Sequence, residues 1–330
     1  MSMHVTYFHR KVIPNFHFSV EIIFNDVRKH LPKGVTWSVE TSRFYSKGLF
    51  PRLYNGIEAF LRRGKINHVT GDINYIAPFL PARRTIHTIL DTVYMQHSSG
   101  LRRYIYNLFW IRIPVRRSRF VTTISEASKA EIVQFSGCDP DKVKVIPIAL
   151  SPVFRKKERA YRWEKPRVLM VGAAPNKNIQ NILESLKGIH CTVQMVGKHN
   201  PVYEQFMRDN GMDYTYEWGL NIEQMYEKYL QTDLLVFAST YEGFGMPIIE
   251  AQASGVPVVT SNISSMPEVG GAEGAVYVDP YSVESIREGI QRVIGNPELR
   301  ARLITEGYRN IQRFDPTTIS GMYVNLYNQI

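Results

Sequence analysis

The sequence predicts an α/β protein of two doubly wound domains, and three observations carry that reading. Short β-branched runs alternate with amphipathic stretches along the chain, the rhythm of parallel strands joined by crossover helices. At roughly 150 residues per domain, 330 residues make two domains, each long enough to bury a core. The charge also divides: residues 1–160 hold 26 Lys and Arg against 11 Asp and Glu, a net +15, whereas residues 161–330 hold 14 against 19, a net −5. Halves with opposite fields attract different ligands.

In the first half, the alternating run at 4–8 predicts the opening strand, and the amphipathic period of 19–31 a helix after it. Strand 35–39, helix 51–63 and strand 67–70 continue the alternation. β-Branched runs at 85–90, 120–125 and 143–148 predict three more strands, with helices at 101–113 and 126–135 between them. Ser125 before Glu126 supplies the cap of the second of these helices. Residues 150–166 have no clear period and hold Pro152, Pro166 and the basic cluster Arg155, Lys156, Lys157 and Arg159, the composition of a linker.

The second half is more regular. Strand 167–171 leads to helix 178–187, strand 192–196 to a helix near 202–208, and strand 214–218 to a helix at 222–230. Strand 234–238 is followed by a helix opened by Pro247, a position where the missing N–H costs nothing. Gly255 stops that helix, strand 256–260 follows, and helical sequence dominates from Val283 onward. The expected division is a first domain at 1–162, a second at 163–312, and a last helix within 313–330 that returns to the first.

Composition excludes several classes. At 44% hydrophobic and 21% charged residues the chain is neither disordered nor collagen-like. The longest near-apolar run, 104–115, is broken by Asn107 and Arg112 and falls short of the roughly 20 residues that span a bilayer. The opening MSMHVTYFHRK lacks the continuous apolar segment of a signal peptide, so a cytoplasmic location is expected. Cys138 and Cys191, with no CxxC or Cys/His cluster, read as reduced bystanders. Asp139 and Asp141 have the D-x-D spacing of a metal site but flank Pro140 in a helix-to-strand connection, the composition of a turn. No metal ligand set and no cofactor are expected.

The densest chemical signal is YEGFGMPIIEA at 241–251, where an apolar strand runs through two glycines into a helix. Such strand-to-helix junctions are ligand sites in open α/β sheets. Gly243 and Gly245 let backbone N–H groups approach a ligand, and the helix start favours negative charge. Glu242 precedes the turn and Glu250 lies about one helical turn inside, so both carboxylates are placed to accept hydrogen bonds from vicinal hydroxyls such as those of a sugar and a ribose.

This run, followed by GVPVVTSN at 255–262 and MPEV at 266–269, resembles the signature of the retaining glycosyltransferases of the GT-B fold, family 4, also called glycosyl transferases group 1. The resemblance extends to VGAAPNKN at 171–178 and to VTTISEASKAEI at 121–132, about the last two thirds of the chain. It implies two Rossmann-like domains facing each other across a cleft, and transfer of a sugar from a GDP- or UDP-sugar to an acceptor hydroxyl with retention and without a metal. Polysaccharide or lipid-linked glycan synthesis is the implied setting. Glu250 would bind the donor ribose. Glu242, with Gly243, Phe244, Gly245 and Met246, would meet the transferred sugar. Lys177 matches the family's phosphate-binding lysine, a cation suited to a diphosphate leaving group, and Asn178 ends the same loop. The companion arginine that many members carry has no counterpart at 173–176; Arg155 and Lys198 are the substitutes offered.

The first half should serve the acceptor. TIHTILDTVYM at 85–95 places Asp91 where the family has an aspartate, with Leu90 where it has histidine and His87 three residues earlier. NHVTGD at 67–72 offers His68 and Asp72, with Gly71 to turn the loop. The first loop, 9–15, lacks the family's glycines and offers His9, Arg10 and Lys11. LRRYIYNLFWIRIPVRRSRF at 101–120 interleaves aromatics with six arginines, and no acidic residue occurs between Thr92 and Ser125, a composition that suits the inner face of an anionic membrane. Two other readings compete: a sugar epimerase on the same scaffold, and a basic nucleic-acid-binding protein. The second is opposed by the paired carboxylates, which repel a phosphate polymer.

Overall fold

The computed structural model describes residues 3–11, 19–96 and 98–330, and they form two compact units. The first comprises residues 1–149 and 314–330, the second 150–313. The boundary therefore lies at 150 and not at 163, because the expected linker is bound to the second unit. Phe154 is buried against the rings of Tyr226 and Tyr229, Arg159 donates to the Tyr229 carbonyl (2.7 Å), and the Tyr161 hydroxyl donates to the Gly255 carbonyl (2.7 Å).

The first unit is a six-stranded parallel sheet of β1 (Met3–His9), β2 (Val35–Thr41), β3 (Ile66–Val69), β4 (Thr85–Thr88), β5 (Phe120–Thr123) and β6 (Val143–Val145), in the order β2-β1-β3-β4-β5-β6. Its register pairs Met3 with Val35, Val5 with Ile66, Asn67 with Thr85 and Val121 with Val143. Successive strand residues face opposite layers. Val5 and Tyr7 pack with Phe24 and with Ile319, Tyr323 and Tyr327 of the last helix, whereas Phe8 packs with Val69, Ile73 and Leu80. The last helix, Pro316–Tyr327, is capped by Asp315, which accepts from the Thr318 N–H at 2.9 Å.

Sequence 101–113 does not form one regular helix. An α-helix at Gly100–Tyr106 gives way to a π-turn at Asn107–Arg112 and resumes at Ile113–Arg116. The cause is Pro114, which has no N–H for the carbonyl four residues back. That carbonyl, on Trp110, accepts instead from the Asn74 side-chain amide at 2.8 Å.

The second unit has the parallel strands β7 (Arg167–Val171), β8 (Thr192–Val196), β9 (Asp213–Glu217), β10 (Leu234–Phe237), β11 (Val258–Ser261) and β12 (Val276–Val278), ordered β12-β11-β10-β7-β8-β9. The edge strand β12 is not foreseen by the sequence reading; it has only three residues. The core gathers Val168, Met170, Leu183, Val193, Leu234, Val236 and Val259 with Ile286 and Ile290 of helix Val283–Gly295. In both sheets the strand order reverses once: between β1 and β3 in the first, and between β7 and β10 in the second. Loops leaving the carboxyl ends of those strands line the crevice where ligands of such sheets bind.

Candidate functional site

In the second unit the loops after β7 and β10 are tied together at this reversal. β7 is followed by Gly172, whose φ of 92° and missing side chain make room for Lys177; a Cβ there would lie 2.8 Å from Lys177 Cε. The loop then turns through Pro175–Lys177 and reaches Asn178 in the left-handed conformation, φ 57°. The Asn178 amide donates to the carbonyls of Ala238 (3.0 Å) and Pro280 (2.6 Å), so this side chain anchors the loop. Asn176 donates to the Tyr241 carbonyl at 2.9 Å, and its own carbonyl accepts from the Thr240 N–H at 2.8 Å.

These anchors bring Lys177 Nζ to 2.6 Å from Glu242 Oε1, an ion pair whose two side chains are each less than a fifth exposed. The Glu242 backbone is fixed from the other side. Its N–H donates to Ser264 Oγ (3.2 Å), and the Ser264 and Ser265 hydroxyls lie 2.7 and 2.9 Å from its carbonyl. Ser265 also reaches the Phe244 carbonyl at 2.7 Å. The Phe244 ring is buried, so this residue offers the loop its backbone and not its side chain. Gly245, at φ 106°, is the residue before helix Met246–Ala253 and permits the sharp entry that L side chains resist. Met246, its first residue, is half-buried.

Glu250 lies one turn into this helix. Its Oε2 accepts from the hydroxyl of the fully buried Tyr229 at 2.9 Å, leaving Oε1 for a ligand. Burial pushes its carboxyl up to about 7, with the Tyr229 hydrogen bond opposing that rise. Lys198 is exposed just beyond β8, and Gly197 packs so closely on Gly172 and Ala173 that a Cβ would meet their backbone at 3.0 and 3.1 Å. Lys198 therefore borders the Lys177 loop. Arg155, the other substitute for the missing arginine, packs instead over the Tyr226 ring.

In the first unit the named residues separate. Arg10, just past β1, pairs with Glu21 and with the exposed Asp72, just past β3, each at 2.9 Å. That pairing sits at the reversal of the first sheet. Residues 12–18 of the first loop lie outside the described residues; Lys11 sits 4.9 Å over the Tyr45 ring. Asp91 follows β4 and accepts from the Val93 N–H at 3.1 Å, a turn-closing role.

His68 is a correction. It is fully buried, with Nδ1 on the Tyr327 hydroxyl (2.8 Å) and Nε2 on Thr88 Oγ1 (2.7 Å), because β3 is covered on both faces; it braces the core and meets no acceptor. His9 is buried as well. The Arg28 guanidinium can only donate, so its 2.9 Å bond makes His9 Nε2 the acceptor and places the proton on Nδ1, toward Thr70 Oγ1. Burial, with Arg28 adding to it, lowers His9 to about 4. His87 is likewise buried, on the Asn74 side chain. Asp139 and Asp141 form the turn expected, Asp139 accepting from the Asp141 N–H at 2.9 Å.

The sequence reading missed Asn176, Tyr229, Ser264 and Ser265. The serines had a signal: a two-glycine loop cannot hold itself, and the hydroxyl-rich TSNISS at 260–265 stands beside it in the sheet.

Two such units, each a parallel sheet with its ligand crevice at the strand-order reversal, are the scaffold of GT-B glycosyltransferases. Solved structures with this fold include HepE of Anabaena in complex with UDP and glucose (TM-score 0.80, 16% identity, 99% of this chain and 100% of that one) and WaaG, a glycosyltransferase of lipopolysaccharide biosynthesis (TM-score 0.72, 13% identity, 98% and 99%). Residues 154–310, just under half of the chain, match the model of the family Glycosyl transferases group 1. Its curated relatives include O-antigen chain mannosyltransferase B of Escherichia coli (26% identical, 64% of this chain and 60% of that one) and O-antigen chain mannosyltransferase RfbU of Salmonella typhimurium (28%, 66% and 62%). The chain thus spans about three fifths of the length of these relatives. Among the described residues no helix is long and apolar enough to cross a membrane.

Proposed function

We propose that this chain transfers a hexose from a GDP- or UDP-sugar to an acceptor hydroxyl in polysaccharide or lipid-linked glycan synthesis, with retention and without a divalent metal. The observation that carries this reading is the Lys177–Glu242 pair, held by two anchored loops at the strand-order reversal of a family domain. The donor diphosphate would lie over the start of helix Met246–Ala253, where the N–H groups after Gly243 and Gly245 and the Lys177 ammonium offset its charge. Lys177 spends one donor on Glu242 and keeps others for phosphate oxygens. Glu250 would take the ribose hydroxyls through Oε1, and Glu242 would orient the sugar.

In the reaction the bond from the anomeric carbon to the phosphate oxygen breaks and a bond to the acceptor oxygen forms. The acceptor proton leaves with the diphosphate if attack occurs on the same face, which gives retention. Lys177 stabilises the charge that develops on the leaving group, the role a metal plays elsewhere. Mannose is the first sugar to test, because the relatives named above are mannosyltransferases. Asp72, Arg10 and Asp91, at the strand ends of the first unit, are the acceptor-side candidates, and Gly100–Tyr106, with exposed Leu101 and Tyr104, a candidate contact with an anionic membrane.

Thermal-shift and calorimetric titration with UDP, GDP, ADP and their common sugars, each with and without EDTA, tests the donor. One nucleoside diphosphate should raise the melting midpoint equally in both conditions. No response to any nucleotide overturns the reading, and a response that EDTA removes overturns its metal-free part. The anomeric configuration of the product, read by NMR, tests retention.

A further inference from the structure

Helix Leu49–Leu61 is turned the opposite way from an ordinary surface helix, which hides its large apolar residues and shows its polar ones. Its inward face is Asn55, Gly56 and Ala59. Asn55 fixes the orientation: its amide donates to the Phe44 carbonyl (2.9 Å) and the Tyr75 hydroxyl (3.0 Å), and its Oδ1 accepts from the Phe44 N–H (3.1 Å). Gly56 fixes the distance, since a Cβ there would lie 2.4 Å from the Phe79 ring. The large residues are left outside. Leu49, Phe50 and Leu61 are 85%, 75% and 73% exposed, and Leu53, Ile57 and Phe60 complete a stripe at helical spacing. The Arg63 guanidinium lies 3.8 Å over the Phe60 ring, and every residue of the stripe stays at least 44% exposed. So large an apolar face on a soluble surface marks an interaction site.

We propose that helix Leu49–Leu61 seats this face in the headgroup region of an anionic membrane. Charge selects that occupant. Between residues 43 and 65 the chain carries six basic residues and one acidic residue, Glu58, which is paired with Arg62 at 3.0 Å. Arg62 is also paired with Glu40 at 3.0 Å and so is neutralised, but Arg43 and Lys47 lie before the helix and Arg63 and Lys65 after it, so the apolar stripe is bracketed by cations at both ends, the pattern of an interfacial helix. A second copy of this chain would bring the same cations against themselves. The surface also continues: Arg52 of the helix stacks 4.7 Å over Trp110, which follows the exposed residues of Gly100–Tyr106. The inference is independent of the transfer reaction, and it adds a second, more apolar element to the contact suggested for residues 101–120.

The test is co-sedimentation of the full chain with sucrose-loaded vesicles of phosphatidylglycerol and phosphatidylcholine in equal parts, at low salt, against phosphatidylcholine alone. The wild type should sediment with the anionic vesicles. The variant Leu49→Ser/Phe50→Ser/Ile57→Ser/Leu61→Ser should lose at least tenfold in partitioning, about 1.4 kcal/mol, while its melting midpoint and its thermal response to nucleotide stay at wild-type values. The gentler Phe50→Ser alone should give a smaller loss in the same direction. Three results overturn the proposal: no sedimentation of the wild type, full binding by the fourfold variant with loss confined to Leu101→Ser/Tyr104→Ser, or a dimer in sedimentation velocity that the fourfold variant abolishes, which would make the face an interface between copies.

Discussion

Glu250 is the residue at which local chemistry most directly sets a measurable property. Its carboxyl is pushed up to about 7 by burial, against which the hydrogen bond from the Tyr229 hydroxyl acts. A carboxylate accepts hydrogen bonds at both oxygens, whereas its protonated form has less accepting capacity. Donor binding should therefore weaken as the pH falls through about 7. Glu250→Gln should bind less tightly and lose this pH dependence. Tyr229→Phe removes the hydrogen bond that favours the charged form, so its binding midpoint should move upward by roughly one unit. Calorimetric titration of the responsive nucleoside diphosphate across neutral pH reads all three, and an unmoved Tyr229→Phe midpoint would detach Tyr229 from the site. Lys177→Ala should lower kcat on the order of a hundredfold, measured with saturating donor. It also leaves Glu242 Oε1 with only the longer Asn176 amide contact at 3.4 Å, so a drop in melting midpoint should accompany the kinetic loss.

At the scale of elements, the loop after β7 depends on a glycine as much as on its lysine. Gly172→Ala adds strain at φ 92° and drives a methyl group against the Lys177 arm, so nucleotide affinity should fall at least tenfold. Gly211→Ala has comparable backbone strain, φ 60°, but no atom within 4 Å of the new methyl; it should cost about 1 kcal/mol of stability and leave affinity unchanged. Parallel strands were the most legible elements, because strands covered on both faces read as continuous apolar runs; β7 and β8 match the sequence bounds end to end. The Lys177 and Glu242 loops were legible for a related reason, since glycines at the end of an apolar strand announce a turn at the sheet's carboxyl edge. What was not legible depends on tertiary direction. Amphipathicity reveals that helix Leu49–Leu61 has two faces, but only Asn55 against Tyr75 and Gly56 against Phe79 reveal that the apolar one points outward. His68 was read as a ligand because a motif does not say which strand is central.

Over the whole molecule, pH should act on the two units with opposite signs. The first unit buries His9, His68 and His87 in neutral form; burial lowers all three, His9 to about 4, His87 to about 3 and His68 well below its ordinary value. A histidine whose folded pKa is depressed contributes stability that is present above its unfolded value near 6.5 and is lost as pH falls toward the folded value. Each contributes about 1.4 kcal/mol per pH unit in that window, so the three together make a slope of roughly 4 kcal/mol per unit. The loss is coupled to the last helix, because Tyr327 bonds both His68 and Tyr7. The second unit has only His190 and His199, both exposed, and its Glu250 acts in the other direction. With the folded carboxyl raised to about 7, its stabilising contribution is complete below the unfolded value and disappears as pH rises through 7. Scanning calorimetry from about pH 7.5 to about pH 5, across the range where histidine titrates, should split one broad transition into two. The lower should belong to the first unit, move down with pH, and fall further when residues 316–330 are removed; the upper should be the one that nucleotide raises. If both transitions fall together, the buried histidines do not govern the first unit's acid stability.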